Sequence, residues 1–276
     1  MTPPPSLPPL REVIKEYGLG AKKSLGQHFL LDANLTDRIA RAAGPLHGKS
    51  VLEIGPGPGG LTRSILAQGP DSLFAIERDQ RCIEALSGLQ AIYPDTLNIV
   101  ETDALKLDLS SLTPRPSIII SNLPYNIGSA LLINWFADLS GIERMILMFQ
   151  KEVAERIAAT PGTSSYGRLA ILSQLLCESR ILFNVDKRAF TPPPKVMSAV
   201  IELIPRPKPL FDVDVSKLEK VTRAAFGQRR KMLRSSLKSL GINPADVGID
   251  PQLRAEQLTI QQFCDLTSLL KEEGIG

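Results

Sequence analysis

The segment Ser50-Val51-Leu52-Glu53-Ile54, running into Gly55-Pro56-Gly57-Pro58-Gly59-Gly60-Leu61-Thr62, leaves this chain few folds to choose from. Its first five residues read as a strand, and a helical pattern follows the turn to about Gln68. Strand, glycine-rich turn and helix open a βαβ unit, and such units build a parallel sheet with helices on its faces. The glycines let the backbone approach a ligand closely at a helix N-terminus. Ser72 to Ile76 is the next strand and ends at Glu77, about 20 residues after the turn, where an acid suits two ribose hydroxyls. Leu97 to Glu101 is a third strand, followed by Asp103, a carboxylate able to accept from an adenine amino group. Each acid alone reads better as a solvated strand-end charge. Their recurrence at successive strand ends favours a bound nucleoside.

The turn does not by itself say which nucleotide. Gly55, Gly57 and Gly60 satisfy the dinucleotide pattern G-x-G-x-x-G, and Glu77 sits where an NAD-binding acid would. Glu53 before the turn, and the end of the fourth strand, point instead to S-adenosylmethionine. That strand, Pro116-Ser117-Ile118-Ile119-Ile120, leads into Ser121-Asn122-Leu123-Pro124-Tyr125-Asn126. Pro124 fixes its own φ and stops the strand, which places Tyr125. An amide, a rigid turn and an aromatic ring then share the carboxyl end of a strand, where ligands bind in open α/β sheets. This suits transfer to an exocyclic amine of a base. The amine is neutral, its lone pair is delocalised into the ring, and acceptors must grip its N–H groups. The Asn122 oxygen and a backbone carbonyl near Leu123-Pro124 are candidates, and Tyr125 can stack on an extruded base. The plainer alternative is a strand-to-loop turn with a packed tyrosine.

Elsewhere, helices are expected over Leu10–Tyr17, Asp32–Ala43, 129–137, 151–159 and 169–178. Strands are expected over Met145–Phe149, Ile181–Val185 and Ser198–Leu203, the last two as an antiparallel pair at one edge. Thr2 to Ser6 reads as a tail, and Pro161 to Tyr166 as a polar, small-residue loop beside the site. Phe190-Thr191-Pro192-Pro193-Pro194-Lys195-Val196 is stiff and extended. It either holds Phe190 opposite Tyr125 to sandwich a base, or is a connector with a core phenylalanine. The linker Pro205-Arg206-Pro207-Lys208-Pro209 sets the expected boundary: an α/β domain over 1–207 and a small all-helical domain over 208–276, with helices near Val215–Phe226, Gln228–Leu240 and Ile260–Leu270. Net charge is only +3. Yet Arg223, Arg229, Arg230, Lys231, Arg234 and Lys238 fall in one stretch without an acid, which favours phosphate contact over a merely solvated face. Cys82, Cys177 and Cys264 lack metal spacing and read as reduced, structural thiols of a cytoplasmic protein. No apolar run reaches transmembrane length and no signal-peptide core is present, so no membrane partner is expected.

These motifs, in this order, resemble the KsgA-type rRNA adenine N6,N6-dimethyltransferases over nearly the whole chain. The marks are Lys23-Ser24-Leu25-Gly26-Gln27-His28-Phe29-Leu30, Glu53 to Gly59, Asn122-Leu123-Pro124-Tyr125, Phe190 to Val196 and Phe226-Gly227-Gln228-Arg229-Arg230-Lys231. The resemblance implies a Rossmann-like, seven-stranded S-adenosylmethionine-dependent methyltransferase fold with a small all-helical C-terminal domain. It implies that His28, Leu30, Gly55, Glu77, Asp103 and Asn122 contact the methyl donor, whose product is S-adenosylhomocysteine. Asn122 and the Leu123 carbonyl would orient the amine, while Tyr125 and Phe190 stack the base. Arg223, Arg229, Arg230, Lys231 and Arg234 would hold RNA, and no metal is needed. The implied partner is the small ribosomal subunit with its 16S rRNA, met by a monomer. The implied reaction puts two methyls on N6 of each of two adjacent adenosines in the 3′-terminal hairpin loop, with a role in subunit biogenesis. The rivals are an erythromycin-resistance-type methyltransferase of large-subunit rRNA and a non-catalytic assembly or transcription factor. The segment from Phe190 to Pro194 and the block from Phe226 to Lys231 favour the small-subunit group.

Overall fold

The computed structural model describes residues 7–20, 27–228 and 230–270. Thr2 to Ser6, the Lys22 to Gly26 part of the segment before His28, and Arg229 lie outside them. The described residues divide into two compact units, one formed by 1–154 with 180–205 and one by 155–179 with 206–276.

The first unit is built on a seven-stranded sheet. Its strands are β2 (Ser50–Ile54), β3 (Ser72–Glu77), β4 (Leu97–Glu101), β5 (Ile118–Asn122), β6 (Arg144–Gln150), β7 (Cys177–Val185) and β9 (Ser198–Pro205), in the order β4-β3-β2-β5-β6-β9-β7. The pairs from β4 through β6 are parallel, with Leu52 opposite Phe74 and Asn122 opposite Met148. β9 turns back antiparallel to β6. Every residue of β2 and β3 is buried, as expected of central strands covered on both faces. The cover on one side includes α2 (Ala33–Ala42), α3 (Gly60–Leu66) and α4 (Gln80–Ile92), whose Ile39, Ala40, Leu61, Ile65, Leu86 and Leu89 join Val51, Leu73 and Ala75 in one core. Asp32 starts α2 by accepting from the Asn34 and Leu35 backbone N–H groups at 2.9 and 3.4 Å. The chain leaves β2 toward β3 and β4 on one side, and returns through β5 and β6 on the other. The carboxyl ends of β2 and β5 therefore face the crevice where such sheets bind ligands.

A second, two-stranded ribbon lies outside the expected pattern. β1 (Phe29–Leu30) pairs antiparallel with β8 (Phe190–Thr191), Phe29 opposite Thr191 and Leu30 opposite Phe190. Two residues per strand are too few for an alternation to be visible in the sequence.

The second unit has its own core, in which Tyr166, Ala170, Ile171 and Leu175 join Leu218, Val221, Leu233, Phe263 and Leu266. Residues 155–179, expected to belong with the α/β domain, group here because α7 (Arg168–Leu176) and the preceding loop bury their apolar side chains in this cluster. The loop's Gly162 N–H donates to the Glu256 carbonyl at 2.7 Å. The proline-flanked linker ties into the same unit through Arg206 N–H to the Leu176 carbonyl at 2.8 Å. α8 (Val215–Phe226) and α10 (Ile260–Ser268) form close to their expected bounds. The expected helix over Gln228–Leu240 does not form. Only Leu233–Ser236 is α-helical, with a 3₁₀ turn at Lys238–Leu240. Met232 is extended, and the Leu233 and Arg234 N–H groups donate across to the Leu253 and Pro251 carbonyls at 2.8 and 3.0 Å. Those partners satisfy the backbone, and a run of like charges gives a helix no pairing at i+4.

Candidate active site

The glycine turn after β2 is shaped by what presses on it. Gly57 has φ +57°, a region that disfavours any side chain. A Cβ there would lie 3.0 Å from the Phe29 ring, and one on Gly60 would lie 2.6 Å from the Leu30 carbonyl oxygen. The Gly57 N–H donates to Glu77 Oε2 at 3.2 Å. The other Glu77 oxygen accepts from the Arg78 and Asp79 N–H groups at 2.8 and 2.9 Å. The buried Glu77 carboxylate thus ties the turn to the end of β3. Beyond β4, Asp103 accepts from the Leu105 N–H at 3.0 Å and pairs with Arg78 at 3.4 Å. Gly55, Glu77, Asp103, Asn122, His28 and Leu30 all line one pocket, together with Leu123 and Tyr125. The structure thus brings together every residue expected at the methyl donor.

Glu53 lines the same pocket from the penultimate position of β2 and is 2 % exposed. Burial, opposed by the Thr62 hydroxyl that donates to it at 2.7 Å and helped by the nearby Glu77 charge, pushes its carboxyl up to about 8. The native state therefore holds a proton that the unfolded chain releases above its ordinary value of 4.5. The stability this gives is full below that value, declines as pH rises and is gone once pH passes the native value. Glu53→Gln should remove this decline, worth on the order of a few kcal/mol between acid and mildly alkaline pH. Thermal melts of both proteins from pH 5 to pH 9 check this, and parallel curves would contradict it.

The turn after β5 is held from several sides. The Ser121 hydroxyl donates to the Ile54 carbonyl at 2.7 Å and ties β5 to β2. The Pro124 carbonyl accepts from the Ile127 and Gly128 N–H groups at 3.1 and 3.0 Å, which starts α5 (Gly128–Trp135). The Asn122 Nδ2 group donates to the His28 carbonyl at 3.3 Å. Among the described residues no donor reaches Asn122 Oδ1, so the acceptor half of the amide stays available. The Tyr125 and Ser198 hydroxyls share a hydrogen bond of 2.6 Å. Burial raises the Tyr125 phenol above its ordinary range.

The aromatic residues are arranged otherwise than two rings across an open slot. The His28 ring lies 5.4 Å from the Tyr125 ring, tilted by 31°, and meets Phe190 edge-on at 6.4 Å. Its Nδ1 is 2.8 Å from the Pro192 carbonyl, and since a carbonyl only accepts, Nδ1 carries the proton. Phe190 is 2 % exposed and packs in the main core. The β1–β8 pairing draws it there, so it presents no open face in this conformation. Ser121 and Ser198 escaped the sequence reading because their partners are 67 and 73 residues away, and a lone serine beside a strand carries no signal of a long-range bond. In the second unit Arg223, Arg230, Lys231 and Arg234 are exposed, and none makes an ion pair among the described residues.

Comparison with known proteins places this geometry. A family model for ribosomal RNA adenine dimethylases matches residues 18–272. Ribosomal RNA small subunit methyltransferase A of Rhodospirillum rubrum is 52 % identical over 276 residues, 99 % of this chain and 96 % of that protein. Among solved structures, a dimethyladenosine transferase from Plasmodium falciparum is 28 % identical with a TM-score of 0.74, covering 87 % of this chain and 96 % of that one. The 23S rRNA methyltransferase ErmE is 26 % identical with a TM-score of 0.66, covering 88 % of this chain and 99 % of that one. With the Asn122 turn and the glycine cradle on one edge of the sheet, and a match along nearly its whole length, the chain belongs to the ribosomal RNA adenine dimethylase family.

Proposed function

We propose that this protein methylates N6 of two adjacent adenosines in the 3′-terminal hairpin loop of small-subunit rRNA, to dimethyladenosine, during maturation of the small ribosomal subunit. The observation that carries the reading is the Asn122 amide, which lines the pocket at the end of β5, donates through Nδ2 to the His28 carbonyl and receives no donor at Oδ1 among the described residues. Such an amide, oriented by its bond to the His28 carbonyl, can accept from an amine through Oδ1.

The pocket suits S-adenosylmethionine, because it combines a glycine cradle that a Cβ would fill with acids at the ends of β3 and β4. When bound, this donor supplies a methyl on a sulfonium, whose sulfur departs as a neutral thioether without help from a metal. His28, Leu30 and Gly55 would line the methionine side, Glu77 the ribose and Asp103 the adenine. Asn122 Oδ1 and the Leu123 carbonyl accept the two N6 hydrogens and aim the lone pair at the methyl. Alignment of this kind carries most of the rate acceleration, and the proton is lost to water after transfer. Tyr125 offers one stacking face to the extruded base. Phe190, in contact with the His28 ring and buried in the core, is the candidate for the other face, and would have to be uncovered to reach it.

Arg223, Arg229, Arg230, Lys231 and Arg234 supply the sequence-independent grip on RNA phosphates. Replacing Arg230, Lys231 and Arg234 by Ala should weaken subunit binding and lower the slope of log affinity against log salt by about 2. An unchanged slope in filter-binding titrations would move the RNA surface elsewhere. The assignment of substrate is tested by supplying labelled S-adenosylmethionine with small and large subunits that lack adenine methylation. Label in the small subunit supports it, and label in the large subunit points to the reaction named for ErmE.

A further inference from the structure

Tyr125 sits on a turn, is half-buried and has two side-chain torsions to settle. Its hydroxyl ends 2.6 Å from that of Ser198. Ser198 is the opposite case. It is fully buried at the first position of β9, opposite Gln150 at the end of β6. Because β9 is antiparallel, its first residue lies at the same sheet edge as the carboxyl ends of β5 and β6. The preceding residue is fixed too, since the Met197 carbonyl accepts from the Lys151 N–H at 2.9 Å. A hydroxyl held by the sheet therefore meets the far end of the ring that the turn carries. Anchoring a phenol at its para position fixes the direction of the ring's long axis, and because a phenol O–H lies in the ring plane it favours ring planes that contain the hydrogen bond, which backbone constraints at Pro124 alone do not do.

We infer that Ser198 is a positioning residue for methyl transfer: through its bond to the Tyr125 hydroxyl it sets the position and tilt of the ring on which the target base stacks. The inference rests on the reading of Tyr125 as the stacking surface. The bond has a second consequence. With its hydroxyl engaged by Ser198, Tyr125 offers the base its face and not a competing donor that would tilt the base by its polar edge. Neither residue needs to touch the amine for this to matter, because a ring turned away misaligns the nitrogen with the methyl.

The test is a mutant cycle on methyl transfer to unmethylated small subunits, with Ser198→Ala, Tyr125→Phe, the double variant and Tyr125→Leu. Each single removal of the bond should lower kcat about tenfold. Melting temperature and S-adenosylmethionine affinity should stay close to wild type, which a merely structural loss would move. The double variant should be no worse than either single one, because only one bond is lost. Tyr125→Leu should be the most impaired. Losses that multiply to about a hundredfold in the double variant would overturn the inference. So would wild-type kinetics of Ser198→Ala beside an impaired Tyr125→Leu. If Ser198→Ala does not fold, Tyr125→Phe removes the same bond from the turn side, and unchanged kcat there overturns the inference as well. Wild-type turnover by Tyr125→Leu would sink the stacking reading itself, and this inference with it.

Discussion

Asn122→Ala is expected to lower kcat for methyl transfer by about a hundredfold or more, while the fold and S-adenosylmethionine affinity change much less. Asn122 is the last residue of β5, opposite Met148, and leads into a turn fixed independently by Ser121 to Ile54 and by Pro124 to α5. Its removal costs the protein one long bond to the His28 carbonyl. What the reaction loses is the acceptor that directs a delocalised amine toward the methyl. Asn122→Asp makes the complementary point. A carboxylate keeps the acceptor but loses the donor to His28, so it should retain more activity than the alanine variant. Steady-state rates with saturating donor separate these outcomes, and wild-type turnover by Asn122→Ala would remove the amide from the mechanism.

Glu77→Ala should weaken S-adenosylmethionine binding by roughly tenfold to a hundredfold, with RNA affinity little changed. The carboxylate lines the pocket and also accepts three backbone N–H groups, from Gly57, Arg78 and Asp79. Its loss takes away the ribose partner and unties the glycine turn from β3 in one step. Glu77→Gln retains acceptance at one oxygen only and should fall between. Calorimetric titration with donor, beside filter binding with subunits, checks the split. An equal loss of both affinities would mean that Glu77 serves the fold more than the ligand.

Much of this was legible in the sequence because the signals are local. The predominantly apolar β2 and β3, the glycine turn and the acids at Glu77 and Asp103 are each written within or just after one strand, and each strand end could be placed from its own pattern. The Asn122 to Tyr125 turn was legible for the same reason, since Pro124 fixes it without help from distant residues. What was hidden depends on residues far apart in the chain. The β1–β8 ribbon has two residues per strand, and its pairing buries Phe190 where an isolated reading of the proline segment leaves it free to face Tyr125. The Tyr125–Ser198 bond spans 73 residues. Residues 155–179 read as one more stretch of the α/β domain until Tyr166 and Leu175 are seen buried with α8 and α10. The helix expected over Gln228–Leu240 failed where the Leu233 and Arg234 N–H groups found carbonyls twenty or so residues on, at Leu253 and Pro251.

The most direct test of the central claim is nucleoside mass spectrometry on the 3′-terminal hairpin fragment of small-subunit rRNA. Unmethylated subunits would be incubated with this protein and S-adenosylmethionine before the fragment is excised. The account predicts N6-dimethyladenosine at two adjacent positions of the loop, absent when Asn122→Ala replaces the wild type. A fragment without methylated adenosine, from a protein shown in the same preparation to bind the donor, would contradict it.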